Sequence, residues 1–285
     1  MNRFIKRGVA MKERILSLID GLRRRLKLIF DDKSKKRRFI AISLTIAILL
    51  ISLVGCMIYL GDYYRADGEA IEAFAEESVY KYDSKYLLDG DKRYAVYAPK
   101  KEVYESQNIK AGFIFYPGGK VAVEAYEPLM IELAGRGILC VLIEMPFNLA
   151  VFDTNAAAKP IKNLPDVDKW YVGGHSLGGS MAASYLANNT EKIDGLVLLG
   201  SYSTADVADS RVLSIYGSED GVMNREKYDK YKINLPSDLT EIVIDGGNHA
   251  YFGMYGEQRG DGGATLTPQE QISITAENIA DFINK

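Results

Sequence analysis

The chain has 285 residues, 47% of them hydrophobic and 26% charged, which is enough for one full-sized globular domain and an appendage but not for two large domains. Its net charge of −3 conceals an uneven distribution: residues 1–38 carry 14 of the 35 Lys+Arg and 4 of the 38 Asp+Glu, a net of +10, which leaves −13 for the rest. With only two cysteines (Cys56 and Cys140) and two histidines, neither a disulfide framework nor a metal centre is expected, and no cofactor is implied.

Residues 39–60 form an apolar run of 22 residues without a charge or a proline. As a helix this run is about 33 Å long, which spans the hydrocarbon core of a bilayer, whereas a buried helix of a soluble protein keeps a polar stripe. Five of the six residues before the run are basic, and acidic residues dominate after it. By the positive-inside rule, we expect a signal anchor in the cell membrane, with a cytoplasmic N-terminus and an extracytoplasmic domain over residues 61–285.

Two other interpretations of this segment stay open. A cleaved signal peptide has a shorter apolar core, of about 7 to 15 residues. A bacterial lipoprotein signal would end at Cys56, because residues 53–56 read Leu-Val-Gly-Cys, and the domain would then still be held at the membrane.

Residues 1–38 form a basic leader that we expect to be cytoplasmic. Its apolar residues recur at helical spacing among arginines, which predicts either an amphipathic helix on an anionic leaflet or a solvated topogenic segment. These apolar residues are Ile15, Leu18, Ile19, Leu22, Leu26 and Ile29. Nucleic acid is not an expected partner, because no aromatic or fold signature accompanies the charge.

The domain begins with a predicted helix over residues 68–78 and a hairpin that turns at Leu88-Asp89-Gly90-Asp91. Apolar runs of strand length follow at residues 111–116, 138–143, 170–173, 195–199, 212–216 and 241–244. Helices are predicted between most of them, at residues 123–135, 177–188, 224–231 and 268–283. This alternation predicts an α/β fold with a mostly parallel, twisted sheet and helices on both faces.

The segment Gly174-His175-Ser176-Leu177-Gly178-Gly179 lies where a predicted strand meets a predicted helix. A G-x-S-x-G pattern alone is weak in a chain with 26 glycines, but at a strand-to-helix turn it is typical of a nucleophile elbow. Gly174 and Gly178 suit such a turn, because side chains there would collide with neighbouring backbone. Ser176 is therefore the predicted nucleophile, and an ordinary glycine-rich turn is the alternative.

An unactivated serine is a poor nucleophile, so a base must lie within hydrogen-bond reach. His249 follows the last predicted strand and is the predicted base, whereas His175 is expected to pack beside the site. The acid that orients the imidazole should follow a strand between the serine and the histidine in chain order. Asp220 meets this condition, with Glu219 as the alternative and Asp206, Asp209 and Asp245 as weaker candidates.

An oxyanion formed by attack on a carbonyl needs two backbone donors. The amide after the nucleophile, that of Leu177, is the first predicted donor. The second is expected from Gly119 or Lys120, in the glycine-containing loop after the strand at residues 111–116. A tight turn without this role is the alternative, and the Lys120 ammonium is either solvated or paired with an acidic group of a substrate.

Together these residues resemble the α/β-hydrolase superfamily, in particular its compact, lidless bacterial members near the dienelactone-hydrolase branch. The resemblance runs from about Tyr64 to the C-terminus and is carried by the elbow and by residues 116–121, 145–152 and 247–253. It implies the α/β-hydrolase fold and a triad with serine in place of the cysteine of dienelactone hydrolases. It also implies an open cleft shaped by residues 147–162 and 251–263, where Tyr251, Phe252, Met254 and Tyr255 either line an acyl pocket or pack beneath the histidine loop.

The function expected from these features is a membrane-anchored, extracytoplasmic serine hydrolase that cleaves carboxylic esters through an acyl-enzyme intermediate. Its substrate would be a small-molecule, lipid or glycan ester. A peptidase, amidase or acyltransferase with the same triad is the alternative within enzymes. An inactive hydrolase-like binding or sensor module is the alternative outside them, although no triad member is missing.

Overall fold

The computed structural model of the chain describes residues 13–25, 33–77, 83–89, 92–98, 111–164 and 167–285, with the backbone alone at residues 76, 77, 83–89, 92 and 93. The chain divides into two compact units, Met1–Gly61 and Asp62–Lys285. In the first unit, residues 13–25 are helical and helix α1 covers Lys33–Gly61. Helix α1 is long and apolar enough to cross a membrane. Leu26 and Ile29, two of the apolar leader residues, lie outside the described residues.

The second unit is built on one eight-stranded sheet with the strand order β1-β2-β4-β3-β5-β6-β7-β8. The strands are β1 Asp83–Asp89, β2 Lys92–Ala98, β3 Gly112–Tyr116, β4 Leu139–Ile143, β5 Trp170–His175, β6 Gly195–Leu199, β7 Val212–Gly217 and β8 Thr240–Ile244. The β1–β2 and β2–β4 pairs are antiparallel, and all the other pairs are parallel. The predicted hairpin and mostly parallel sheet are confirmed, although Gly90 and Asp91 at the hairpin turn lie outside the described residues.

Helices cover both faces of the sheet. They are α2 Gly68–Glu77, α3 Glu127–Gly135, α4 Ala158–Asn163, α5 Leu177–Ala187, α6 Arg225–Tyr231 and α7 Pro268–Asn284. Local chemistry explains where two of them begin: the Asn224 side chain caps α6, and Thr267 and Glu270 form a reciprocal capping box at the start of α7, whose first residue is Pro268. The short helix α4 has no counterpart among the predicted elements.

The sheet is buried on both faces, and its strands β3, β4 and β6 contain only apolar residues and glycine. In β3, Phe113 and Phe115 pack into the layer that contains α2, α3 and α7, whereas Ile114 and Tyr116 pack into the layer that contains α5. Side chains alternate between the two faces of a strand, so a continuous apolar run is needed when both faces are covered. With both faces filled, the carboxyl edge of the parallel strands is where loops gather and where a site can form.

Candidate active site

Ser176 lies at the turn between β5 and α5 and has backbone angles of φ 51° and ψ −120°. A non-glycine residue rarely adopts a positive φ, and such strain is characteristic of functional turns. A Cβ at Gly174 or at Gly178 would collide with the carbonyl oxygen of Tyr116. The glycines on both sides therefore let this turn pack against the end of β3.

The Ser176 backbone is held against the neighbouring strand β6. Its N–H donates to the Leu199 carbonyl at 2.9 Å, and its carbonyl accepts from the Ser201 hydroxyl at 2.7 Å. The serine is partly exposed, and its own hydroxyl has no hydrogen-bond partner among the described residues. The turn is thus fixed while the hydroxyl is left available.

The structure brings His249 and Asp220 together. The His249 Nδ1 lies 2.8 Å from the Asp220 Oδ2, and each side chain is only 1% exposed. The other carboxylate oxygen accepts the backbone N–H groups of Val222 and Met223 at 3.0 and 2.8 Å. Since the carboxylate accepts all three bonds, Nδ1 carries the proton and Nε2 keeps its lone pair. Glu219, the alternative acid, is exposed.

Gly200, at the end of β6, lies directly against this pair. It follows Leu199, the backbone partner of Ser176, and has a φ of 50°. A Cβ at this position would be 2.8 Å from the His249 Nδ1 and 3.0 Å from the Asp220 Oδ2. The His249–Asp220 pair therefore lies one residue from Leu199, which binds the Ser176 backbone. No hydrogen bond joins the serine hydroxyl to His249 in this structure.

His175 packs beside the site. Its ring centroid is 4.4 Å from that of His249, and its Nδ1 is 2.8 Å from the Tyr126 hydroxyl, which also accepts the Gly118 N–H at 3.1 Å. Burial, and then the neighbouring His249, hold the pKa of His175 well below its usual value. The His175 imidazole is therefore neutral near neutral pH.

A single carboxylate, that of Asp261, joins the acid loop to the histidine loop. It accepts the N–H of Gly221 at 3.1 Å, of His249 at 3.2 Å, of Ala250 at 2.8 Å and of Gly262 at 2.9 Å. Bonds from backbone amides to a charged acceptor are among the stronger hydrogen bonds in proteins. Asp261 thus fixes the distance between the loop that contains Asp220 and the loop that contains His249.

A second polar junction ties the histidine loop to helix α7. The fully buried Gln271 side chain accepts the Asn248 N–H at 2.9 Å and donates to the Asn248 carbonyl at 2.8 Å. The Asn248 side chain in turn accepts the Tyr251 N–H at 3.0 Å. These bonds hold the residue before His249 in one position.

The two residues predicted as alternative second donors for an oxyanion differ in their surroundings. The Lys120 N–H already donates to the Asn148 carbonyl at 2.7 Å, and the Lys120 ammonium lies 3.2 Å from the Asp62 carboxylate. The N–H groups of Gly119 and Leu177 have no hydrogen-bond partner within the described part of the chain. A Cβ at Gly119 would be 2.8 Å from the Leu177 side chain, so these two amides belong to adjacent residues in space.

The sequence of residues 112–273 matches the model of the alpha/beta hydrolase family, and this range covers more than half of the chain. The chain belongs to the α/β-hydrolase family. The match is to the family as a whole, so the proximity to the dienelactone-hydrolase branch stays a prediction. No curated protein matches the chain.

Several solved structures resemble this hydrolase in fold. A predicted CIB-like hydrolase from Thermoplasma acidophilum has a TM-score of 0.52 at 14% identity, covering 71% of this chain and 99% of its own. An esterase from Pyrobaculum calidifontis has a TM-score of 0.56 at 18% identity, covering 75% and 88%. A fungal esterase from Rhizomucor miehei has a TM-score of 0.55 at 13% identity, covering 76% and 88%. At these identities the likeness concerns the fold alone.

Residues 200–211, between β6 and β7, contain no helix. Of the residues considered for an acyl pocket, Phe252, Met254 and Tyr255 are buried in the core beneath the histidine loop, and Tyr251 is half-buried. Packing is therefore the role that the structure gives to the first three. A polar cavity of about 220 Å³ adjoins the same loop and reaches Asp261.

Sequence reasoning did not find Gly200, Tyr126, Asp261 or Gln271. The signal for Gly200 was a glycine directly after a predicted strand, at the sheet edge where the site forms. The acceptor role of Asp261 had no local signal, because its partners lie in two other loops.

Proposed function

We propose that this α/β-hydrolase is a membrane-anchored serine hydrolase that cleaves carboxylic esters, with Ser176 as nucleophile, His249 as base and Asp220 as the orienting acid. One observation carries the proposal above the others. The buried His249 imidazole is held by the Asp220 carboxylate at 2.8 Å and lies against Gly200. Gly200 follows Leu199, whose carbonyl accepts the N–H of Ser176 in its positive-φ turn. That is the arrangement by which a serine is activated for acyl transfer.

In the proposed reaction, the Ser176 Oγ attacks the ester carbonyl carbon while the His249 Nε2 takes the hydroxyl proton. Asp220 accepts the Nδ1–H bond throughout and stabilises the imidazolium that forms. The bond from the acyl carbon to the leaving oxygen then breaks, and His249 returns the proton to the alcohol. A water molecule attacks the acyl-enzyme by the same route and releases the acid. The serine-to-histidine bond that starts this sequence is often long in hydrolases without substrate.

The developing oxyanion would be held by the Leu177 and Gly119 amides. Both N–H groups are free of partners among the described residues, and Leu177 is the first residue of α5, whose N-terminus favours negative charge. Gly119 suits this role better than Lys120, because the Lys120 amide is already used by Asn148. Neutral His175 fits the scheme as well, since a second positive ring beside His249 would oppose formation of the imidazolium.

The first unit supports both membrane anchoring and the orientation of the chain in the membrane. Helix α1 supports a single-pass anchor, and the basic residues before it favour a cytoplasmic N-terminus and an extracytoplasmic hydrolase domain over residues 61–285. Digestion of intact cells by an added protease tests this. The domain should be removed, and a fully protected domain would reverse the orientation.

Labelling with a fluorophosphonate probe, which phosphonylates activated serines, tests the mechanism in membranes. We expect strong labelling of the wild type and none above background for Ser176→Ala or His249→Ala. Ser184→Ala is the matched control, because Ser184 lies on the same helix and its hydroxyl bonds only to the Ser180 carbonyl. Labelling that survives Ser176→Ala would refute the proposed nucleophile. Comparison of acyl esters with amides of the same acyl group then separates an esterase from an amidase or peptidase.

A further inference from the structure

Exposed apolar side chains are concentrated at one place on the second unit. Among its described residues, five large apolar side chains are exposed, and three of them lie within six positions: Phe147 at 60%, Val151 at 49% and Phe152 at 57%. The Phe147 and Phe152 rings are in edge-to-face contact, with centroids 5.7 Å apart. Exposed apolar residues are normally scattered, and a contiguous group marks an interaction surface. We call residues 147–152 the apolar lip.

The apolar lip borders the candidate active site. The Asn148 carbonyl accepts the Lys120 N–H at 2.7 Å, and a Cβ at Gly119 would be 3.6 Å from the Leu149 side chain. Phe147 and Asn148 have φ values of 54° and 55°, which non-glycine residues seldom adopt. Such conformations persist only when the surrounding structure holds them, and they cluster at functional sites. The lip is therefore a fixed rim beside the proposed oxyanion donors.

The same loop receives the chain as it enters the second unit. The Tyr64 N–H donates to the Lys120 carbonyl at 2.8 Å, and the Tyr64 carbonyl accepts the Ala122 N–H at 2.9 Å. Tyr64 is the third residue after Gly61, at which α1 ends. Three residues span at most about 11 Å of chain, whatever direction α1 takes. The loop that carries Gly119 is therefore bonded to a residue only three positions along the chain from the end of the candidate span.

We propose that the apolar lip contacts the bilayer in which α1 is anchored, and that the esters cleaved at Ser176 are those of lipids presented by that bilayer. The substrate part of this proposal rests on the proposed function, whereas the contact part does not. An apolar contact fits the charge of the chain, since the residues after the basic leader carry a net of −13 and would be repelled by an anionic leaflet. Phenylalanine side chains at the interface favour such insertion.

Tryptophan fluorescence of the full chain in phosphatidylcholine vesicles tests the contact without any measurement of activity. Phe152→Trp is compared with Ile233→Trp, because Ile233 is 84% exposed and lies outside the lip. The one native tryptophan, Trp170, is buried and contributes the same background to both. With lipids brominated on their acyl chains, we expect quenching of Phe152→Trp to be about twofold or more above that of Ile233→Trp. Equal quenching would overturn the contact, including the case where a second copy or a soluble protein covers the lip.

Two rates measured on the same vesicles test the substrate class. One is hydrolysis of a short soluble acyl ester, and the other is hydrolysis of a diacylglycerol in the bilayer. For the double variant Phe147→Ser, Phe152→Ser we expect the ratio of the lipid rate to the soluble rate to fall about tenfold, and Ile233→Ser should leave both rates unchanged. An unchanged ratio would overturn the lipid assignment. Failure of the proposed function is distinct, because the wild type would then cleave neither ester and take up no fluorophosphonate, while the quenching result would stand.

Discussion

Substitution of Gly200 by alanine is a small change aimed at the contact between the His249–Asp220 pair and the end of β6. The added methyl carbon would be 2.8 Å from the His249 Nδ1 and 3.0 Å from the Asp220 Oδ2. Ordinary van der Waals contact between such atoms begins at about 3.4 Å or more. The imidazole and the carboxylate must therefore each move by several tenths of an ångström, in a region where both side chains are buried.

The backbone cost of the substitution is separable from the contact. Gly200 has a φ of 50°, and an alanine in this region costs about 1 to 2 kcal/mol. Gly137 is the matched control, because it has a φ of 90° and a Cβ there would meet nothing within 4 Å. Gly137→Ala should lower the thermal midpoint by about 2 to 8 °C for a domain of this size, and Gly200→Ala by more, because the added methyl group also displaces two buried side chains. Only Gly200→Ala should displace the base, and a misplacement approaching 1 Å costs about 100-fold in rate.

The rate of fluorophosphonate labelling at Ser176 and kcat/KM on a soluble ester are the two measurements. We expect both to fall about 30- to 100-fold for Gly200→Ala and less than about threefold for Gly137→Ala. Activity within about threefold of the wild type in both variants would show that the His249–Asp220 pair is not the catalytic pair, and the assignment of base and acid would have to be abandoned.

Three further predictions follow from neighbouring contacts. Asp261→Ala removes the common acceptor of the Gly221, His249 and Ala250 amides, so kcat should fall about 100-fold, with partial recovery in Asp261→Asn, which keeps one oxygen. Gly119→Ala places a methyl group 2.8 Å from the Leu177 side chain and should lower kcat about tenfold with little change in KM. The lowered pKa of buried His175 means that its contribution to stability is complete above the unfolded pKa of about 6.5 and is lost as pH falls below it, by up to about 1.4 kcal/mol per pH unit. The thermal midpoint between pH 8 and pH 5.5 should therefore fall more steeply for the wild type than for His175→Gln.

The predictions for Asp261, Gly119 and His175 each have a control variant or a result that would contradict them. Glu257→Ala, in the same cavity as Asp261 but outside its four amide bonds, should keep full activity, and an equal loss there would remove the special role of Asp261. Gly263→Ala, where a Cβ meets nothing within 4 Å, is the control for Gly119→Ala. Equal slopes of midpoint against pH for the wild type and His175→Gln would show that His175 ionises in the folded protein as readily as in the unfolded one.

Much of the fold was predictable because its signals are local. Apolar runs of strand length recur between amphipathic stretches, and a strand buried on both faces, such as residues 112–116, has no other reading once helices flank it. The elbow was predictable because its residues are contiguous, at the end of one strand and the start of the next helix, although the collision that requires glycines at 174 and 178 is with the Tyr116 carbonyl of the neighbouring strand β3. Chain order then led to the prediction of Asp220 as acid and His249 as base, each after its strand.

The surroundings of the site were less predictable, because they are made across loops that are far apart in the sequence. Asp261 meets the Gly221 amide 40 positions away, and the Tyr126 hydroxyl meets His175 49 positions away. No spacing rule relates these residues, since their distance depends on how the carboxyl ends of several strands converge. The preference for Gly119 over Lys120 is of the same kind, because it depends on the carbonyl of Asn148 in another loop.

By itself, the sequence determined an apolar segment long enough to cross a bilayer, an α/β domain and a serine at a strand-to-helix turn, since each follows from residue types within one short window. Only the tertiary structure decided that Asp220 rather than Glu219 contacts His249, that Gly200 lies against this pair and that an apolar lip borders the loop that carries Gly119. The physical reason is that a hydrogen bond or a collision is set within a few tenths of an ångström, and that precision exists only after the sheet has packed and its loops have met.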